Sequence, residues 1–364
     1  MEKLELVFMP SIGISHLVSS IEFAKRITER DSRVWVTVLM MSPLQPTKDL
    51  NLVYSHSKIR FVDLPQVDSP SYDCRKTPGT NMCAFVENHS SHVKHALTQL
   101  ASNSATGLVL VLDLFCLSMI DVANELGIPS YLFLTTGTFF LGAMLYLVPH
   151  DESTGTVFEL SCPELTIPSF TNPVPSRVLP DSFLDKAGGY AAFAKLGKRF
   201  KEVKGIVVNS FSDLEAFGLS SVSDGENPPV YPVGPILKLN SGSDPIEKDP
   251  IISWLDEQPP SSVVFLCFGS MGSLSAPQVR EIACGLEQSG YRPGDESKIV
   301  TAEKIKEVIR RAMEDDGGVR ERMKEMRGKS RKAVMDGGSS FNSCGRLIED
   351  MINNYQRCHV SDTS

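Results

Sequence analysis

Short, mostly apolar strand-like runs alternate with helix-period segments along the first 235 residues. Leu4–Met9 reads as a strand and is followed by the turn Pro10–His16. A helix comes next, with Leu17, Ile21, Ala24 and Ile27 on one face. Further apolar runs predict strands at 34–40, 59–64, 108–112, 131–134 and 205–209. Helical spacing predicts helices near 82–100, 117–126, 191–203 and from about 138 to Leu147. Strands rich in Val, Ile, Leu and Phe, separated by helices, predict a mostly parallel sheet buried on both faces.

The pattern changes after that. Five prolines between Pro163 and Pro180 mark a surface loop, and the polar stretch Ser241–Asp249 is the linker candidate. Val263–Ser270, VVFLCFGS, reads as a buried strand and turn, and 276–289 reads as an amphipathic helix. Such a unit normally opens a second sheet, yet helices are all that follow, near 301–314, 318–335 and 339–354. The expected architecture is α/β with two Rossmann-like domains, the second incomplete. Residues 1–240 form the first domain, 241–249 the linker, 250–345 the shortened second domain and 346–364 a tail.

Composition is that of an ordinary globular chain, 41% hydrophobic and 22% charged. A net charge of −8 with no basic stripe argues against nucleic acid as a partner. The eight cysteines form no CxxC pair, and Cys116 and Cys267 fall in apolar contexts, as suits reduced thiols in the cytoplasm. The opening MEKLELVFMP is too short and acidic for a secretory signal. Ser130–Pro149 is uncharged over 20 residues, but the turn-forming Thr135-Thr136-Gly137-Thr138 inside it argues against a membrane span.

His16 is the first candidate for chemistry. It lies between a strand's carboxyl end and a helix N-terminus, where open α/β sheets place their ligands. The helix dipole there is expected to keep the imidazole neutral and able to accept a proton. Asp113, ending the strand at 108–112, is placed to orient the other ring nitrogen. The plain alternative is a capping histidine beside an unrelated aspartate. His89, His92 and His95 drift around a helix and lack a completing Cys or carboxylate, so no metal site is expected. Phe268-Gly269-Ser270 is a strand-end turn that offers backbone and hydroxyl groups to phosphate, a pattern common to many βα turns. The chain has no GxxxxGK[ST], GxGxxG or GxSxG.

Several stretches together resemble the plant UDP-dependent glycosyltransferases that glucosylate small phenolic and terpenoid acceptors. They are LVFMPSIGISHLVSSIEFAKRI, VLDLFCLSMIDVANELGIPSYLFLTTG, GIVVNSFSDLE, YPVGPI, WLDEQPPSSVVFLCFGSMG, and the tail VTAEKIKEVIRRAM with GGSSFNSCGRLIEDM. The resemblance is greatest to the branch acting on flavonoids, lignans and related phenols, and it implies a GT-B fold. In that family His16 looks like the base that deprotonates the acceptor hydroxyl, and Asp113 like its orienting partner. Thr135 looks like a sugar contact, Ser270 like a phosphate contact, and Ile14 and Phe115 like walls of the acceptor pocket. The implied reaction inverts the sugar's anomeric carbon, with UDP-glucose as co-substrate, no cofactor and no metal. Ile12 and Ser15 replace the Pro and Gly common in the family's first turn.

The family carries roughly a hundred more residues, most of a domain, between Tyr291 and Val300. They contain a Trp-x-Pro-Gln element, a His-Cys-Gly-Trp-Asn-Ser element and a closing Glu…Asp-Gln pair that hold uracil, diphosphate and sugar. The tryptophans here are Trp35 and Trp254, and no histidine stands between His150 and His359. The resemblance therefore implies an acceptor-side half with almost no donor site, and UDP-glucose binding is not secured by these residues. Two readings stand. One is a glucosyltransferase with weak turnover; the other is a non-catalytic aglycone-binding or regulatory form, able to pair with a full-length relative.

Overall fold

The computed structural model describes residues 3–41, 56–67, 78–102, 107–155, 157–159, 164–223, 225–237, 250–259, 263–269, 274–288, 301–314 and 318–360. They fall into two compact units, 1–238 with 329–364, and 239–328.

The first unit is built on a seven-stranded parallel sheet. In chain order it begins with β1 (Leu4–Met9), α1 (Ile14–Arg30), β2 (Val34–Met40), β3 (Ile59–Asp63), α2 (Pro78–Glu87) and α3 (Ser90–Ser102). Then come β4 (Gly107–Asp113), α4 (Ile120–Glu125), β5 (Ser130–Leu134), α5 (Thr138–Thr154), α6 (Asp181–Leu184) and α7 (Gly189–Lys198). The run ends with β6 (Ile206–Val208), α8 (Ala216–Val222) and β7 (Val230–Pro232). The spatial order is β3-β2-β1-β4-β5-β6-β7, and every pairing is parallel. β1, β4 and β5 are buried along their whole length, which is why they read as mostly apolar runs, with Glu5 the buried polar exception inside β1. The chain moves from β1 outward to β2 and β3, then returns to lay β4 on the other side of β1. That reversal opens a crevice at the carboxyl ends of β1 and β4.

The apolar positions of α1 behave as their spacing predicts, with Leu17, Ile21, Ala24 and Ile27 all buried. Three expectations are corrected in detail, and one strand is new. The helix at 82–100 is two helices, α2 and α3, separated at Asn88-His89. The segment near 117–126 begins as a 3₁₀ turn at Leu114–Met119 before α4. The proline-rich loop contains an isolated antiparallel bridge between Leu165 and Val174. The short β7, three residues closed by Pro232, was not legible as a strand.

The C-terminal helix, Ser339–Val360, groups with the first unit, whereas the sequence division placed 250–345 in a second domain and 346–364 in a tail. The physical reason is its apolar face. Cys344, Leu347, Ile348 and Met351 are buried in the same cluster as Leu4, Ile27, Val109 and Tyr231. Burying one such side chain stabilises by roughly 1.5–3 kcal/mol. Polar contacts fix the register. The Tyr131 hydroxyl donates to Asp350 Oδ2 at 2.7 Å and accepts from Asn354 Nδ2 at 2.9 Å, while Ser340 Oγ donates to the Gly234 carbonyl at 2.5 Å. Gly107 leaves the room that the Tyr355 ring occupies, since a Cβ there would stand 2.6 Å from it.

The second unit contains the helices Pro250–Asp256, Ala276–Gln288 and Ala302–Glu314. The last two are tied together where Glu281 accepts from the Ala302 backbone N–H at 2.7 Å. The predicted strand at 263–268 is not one. Residues 263–269 take no place in a sheet among the described residues, and Phe265 is 86% exposed. An apolar run becomes a strand only when neighbours pair its backbone, and no described strand stands beside this one. None of the described helices is long and apolar enough to cross a membrane.

Candidate active site

The crevice between β1 and β4 is where the candidate residues meet. Gly13, just before α1, holds φ at 137°, a conformation that side-chain-bearing residues rarely adopt. The turn delivers His16 on the first turn of α1. Asp113 is the last residue of β4, one position beyond the Met9–Leu112 pair. His16 Nδ1 and Asp113 Oδ2 are 2.8 Å apart; the imidazole is 27% exposed and the carboxylate 2%. With Nδ1 engaged, Nε2 is the ring nitrogen left to take a proton, and it makes no hydrogen bond among the described residues.

The electrostatics depart from the expectation that the helix dipole dominates. The His16 pKa is raised above its ordinary 6.5, chiefly by the hydrogen bond to Asp113, with its charge adding and burial opposing. A carboxylate in hydrogen-bonding contact outweighs the partial charge of a helix end. The imidazole is thus a strengthened base whose conjugate acid is stabilised by a buried anion.

Sequence reasoning missed Ser11. Its buried hydroxyl donates a short hydrogen bond to Asp113 Oδ1, so each carboxylate oxygen has its own donor. Cys116 Sγ stands 3.8 Å behind Ser11 Oγ, and burial pushes that thiol well above its ordinary pKa. The signal available was a polar residue two positions past the mostly apolar β1, on the carboxyl edge of the sheet.

Phe115 follows Asp113 by two residues. Its ring lies edge-on to His16 at 6.3 Å between centroids and edge-on to Phe193 at 6.0 Å. It also lines a cavity of about 690 Å³ bounded by α2, α4 and α7, with Cys83, Ser118, Val122 and Leu196. That volume is in the range of small-molecule sites. Its rim is charged, with Lys195 3.5 Å from Glu87 and Arg199 paired to Asp121. Ile14, the first residue of α1, is 43% exposed.

Thr135 lies on the same carboxyl edge, two residues past the Phe133 that pairs with Asp113. No contact among the described residues joins it to the dyad; its carbonyl accepts from Asn209 Nδ2 at 3.4 Å. The turn it opens is fixed by a second residue that sequence reasoning missed. Glu215 is buried and accepts from the Thr138 and Phe139 N–H groups at 2.8 and 3.3 Å, so it caps α5 from 77 residues away. Ser270 lies outside the described residues. His89 is buried and bonds to the Phe85 carbonyl at 3.0 Å.

No family model matches the chain. It is 35% identical to the UDP-glycosyltransferase 71K1 of Malus domestica over 476 residues, covering 97% of this chain and 99% of that protein. That alignment is longer than the 364 residues here, so it closes by leaving stretches of the apple protein without a counterpart. The UDP-glucose flavonoid 3-O-glucosyltransferase 6 of Fragaria ananassa is 44% identical over 312 residues, 79% of this chain and 64% of that protein. The chain spans about 64% of the length of several curated relatives that it matches. Among solved structures, Medicago truncatula UGT71G1 complexed with UDP-glucose superposes with a TM-score of 0.85 at 34% identity, covering 96% of this chain and 98% of that one. The parallel sheet, the crevice at its reversal point and these likenesses lead to one conclusion: the chain belongs to the plant UDP-glycosyltransferase family, with its GT-B type of α/β fold.

Proposed function

We propose that the first unit binds a small hydrophobic acceptor carrying a hydroxyl, a flavonoid, lignan or other phenol, and presents that hydroxyl to His16. The chain then transfers glucose from UDP-glucose with low efficiency, because the residues that would hold the donor are largely missing. The single observation that carries this reading is the 2.8 Å contact between His16 Nδ1 and the buried Asp113. The strawberry relative, a flavonoid 3-O-glucosyltransferase by name, supports the acceptor class.

In the reaction, His16 Nε2 takes the acceptor's proton as the acceptor oxygen forms its bond to the anomeric carbon. The bond from that carbon to the diphosphate breaks, UDP leaves with the electron pair, and the configuration inverts. A phenol titrates near 10, so the proton transfer is uphill until the oxygen begins to bond. Asp113 reduces that cost by stabilising the imidazolium. Phe115 and Ile14 supply the apolar wall, and Thr135 and Ser270 are assigned to the sugar and the phosphate. No metal is needed for any step.

The non-catalytic alternative is favoured by one observation, the exposure of 263–269 without a strand partner among the described residues. Catalysis requires both reactants held together. In that reading the chain holds an aglycone, or its unpaired segment joins a full-length relative. We place the protein in the cytoplasm, where the free thiols of Cys83, Cys116, Cys267, Cys284, Cys344 and Cys358 stay reduced.

The test is transfer of labelled glucose from UDP-glucose to a panel of flavonoids, lignans and simple phenols. Slow product formation that disappears in His16→Ala is the expected result. Product formed equally well by His16→Ala refutes the assigned base, and no product from folded protein selects the non-catalytic reading.

A further inference from the structure

The pair at the centre of the site is the exposed end of a longer hydrogen-bonded chain. Asp113 receives His16 on Oδ2 and Ser11 on Oδ1. Ser11 has one proton, and it is committed to the carboxylate, so its oxygen is left to accept. Cys116 lies 3.8 Å away, fully buried, and burial keeps it as the neutral thiol, which makes it the donor to Ser11. The order is Cys116 S–H to Ser11 O–H to the Asp113 carboxylate, with His16 Nδ1–H arriving from the other side.

We propose that Ser11 is a positioning residue of this site that sets the basicity of His16, by holding Asp113 in register and withdrawing part of its charge. A carboxylate with a single donor concentrates its charge on the imidazole. It then retains the proton so strongly that the base is already occupied near neutral pH. A second donor on the far oxygen moderates that pull. It also satisfies an acceptor that would otherwise be buried without a partner, at a cost of about 1–3 kcal/mol. The hydroxyl is well placed for both tasks, since Ser11 and Asp113 are each 3% exposed, which leaves little access for water to substitute.

The charged group acting on His16 is Asp113, from β4. From the 3₁₀ turn after β4, Phe115 faces the ring and contributes no charge. Asp113 in turn faces Ser11 from the turn after β1 and the Cys116 thiol from the 3₁₀ turn, and Cys83 of α2 stands near Cys116. Among the described residues no lysine or arginine contributes to this cluster, so Ser11 is the moderating donor.

The inference deepens the assignment of His16 as base, and its test does not depend on turnover. The His16 imidazole of the intact chain is titrated by ¹H–¹⁵N NMR in the parent and in Ser11→Thr, Ser11→Cys and Ser11→Ala. Threonine keeps the hydroxyl and is expected to leave the titration in place. Alanine is expected to raise the His16 pKa by about half a unit to one unit, with cysteine, a weaker donor, between the two. If alanine prevents folding, the threonine–cysteine comparison carries the same prediction. An unchanged or lowered pKa in folded Ser11→Ala or Ser11→Cys overturns the proposal. Where glucose transfer is measurable, the alanine variant should lose rate at pH 7 and recover it at higher pH; a loss equal at every pH also overturns it. Absence of transfer in the parent bears on the proposed function and leaves the titration to decide the role of Ser11.

Discussion

Replacing Asp113 by asparagine is expected to cut glucose transfer about 10²–10⁴-fold, the contribution typical of a positioned acid–base group. The change is nearly isosteric, so β4 and its neighbours keep their packing. What disappears is the buried anion 2.8 Å from His16 Nδ1. Without it, burial is the remaining influence on the imidazole, and the His16 pKa should fall from above 6.5 to below it. An amide also presents N–H on one side, and in that orientation it turns Nδ1 into an acceptor and leaves the proton on Nε2, where the base is needed. The same change removes a pH-dependent increment of stability. Because the folded-state pKa of His16 is raised, that increment is complete below the unfolded value of 6.5 and fades as pH rises through the folded value. Unfolding midpoints of parent and variant, compared at pH 5.5 and 8.5, should therefore differ more at the lower pH. A variant with unaltered His16 titration and unaltered rate would remove Asp113 from the mechanism.

The second large effect lies at Gly137. A Cβ there would stand 2.3 Å from Glu215 Oε2 and 2.5 Å from Oε1, far inside contact distance. Alanine at this position must displace the carboxylate that caps α5, leaving the Thr138 and Phe139 N–H groups without their acceptor. We expect a loss of about 1–3 kcal/mol, read as a lower denaturant midpoint with an unchanged slope. The backbone is not the cause, since φ at Gly137 is −91°, open to any residue. A double-mutant cycle separates the explanations. In a Glu215→Ala background the clash is gone, so Gly137→Ala should add little further loss. Equal losses in both backgrounds would mean that the glycine is required for some other reason.

Much of the fold was legible because burial on both faces writes itself into the sequence as mostly apolar runs. β1, β4 and β5 show this directly, and His16 and Asp113 were singled out as candidates because they follow or end those runs. Pairing is another matter. VVFLCF has every intrinsic property of a strand, yet 263–269 lies outside any sheet, because strand formation depends on partners that no local pattern records. The C-terminal helix was legible as a helix, but the face it covers, built from α1, β4 and β7, was not. Ser11 and Glu215 escaped for a related reason. Each acts on a residue about 80 to 100 positions away through one hydrogen-bonded group, and a single polar residue carries no periodicity. The direction of the His16 shift was misjudged because a helix dipole is visible from sequence position, whereas the strength of a carboxylate contact depends on its distance.

The proposed function has these residues build the acceptor side of a glucosyltransferase and leave the donor side largely unbuilt. Isothermal titration of the folded chain, first with a flavonoid acceptor and then with UDP-glucose, tests it most directly. Saturable binding of the flavonoid, weakened in Phe115→Ala, is expected, with no saturation by UDP-glucose below millimolar concentration, about 4 kcal/mol of binding free energy. Micromolar binding of UDP-glucose, with or without the acceptor, would contradict it.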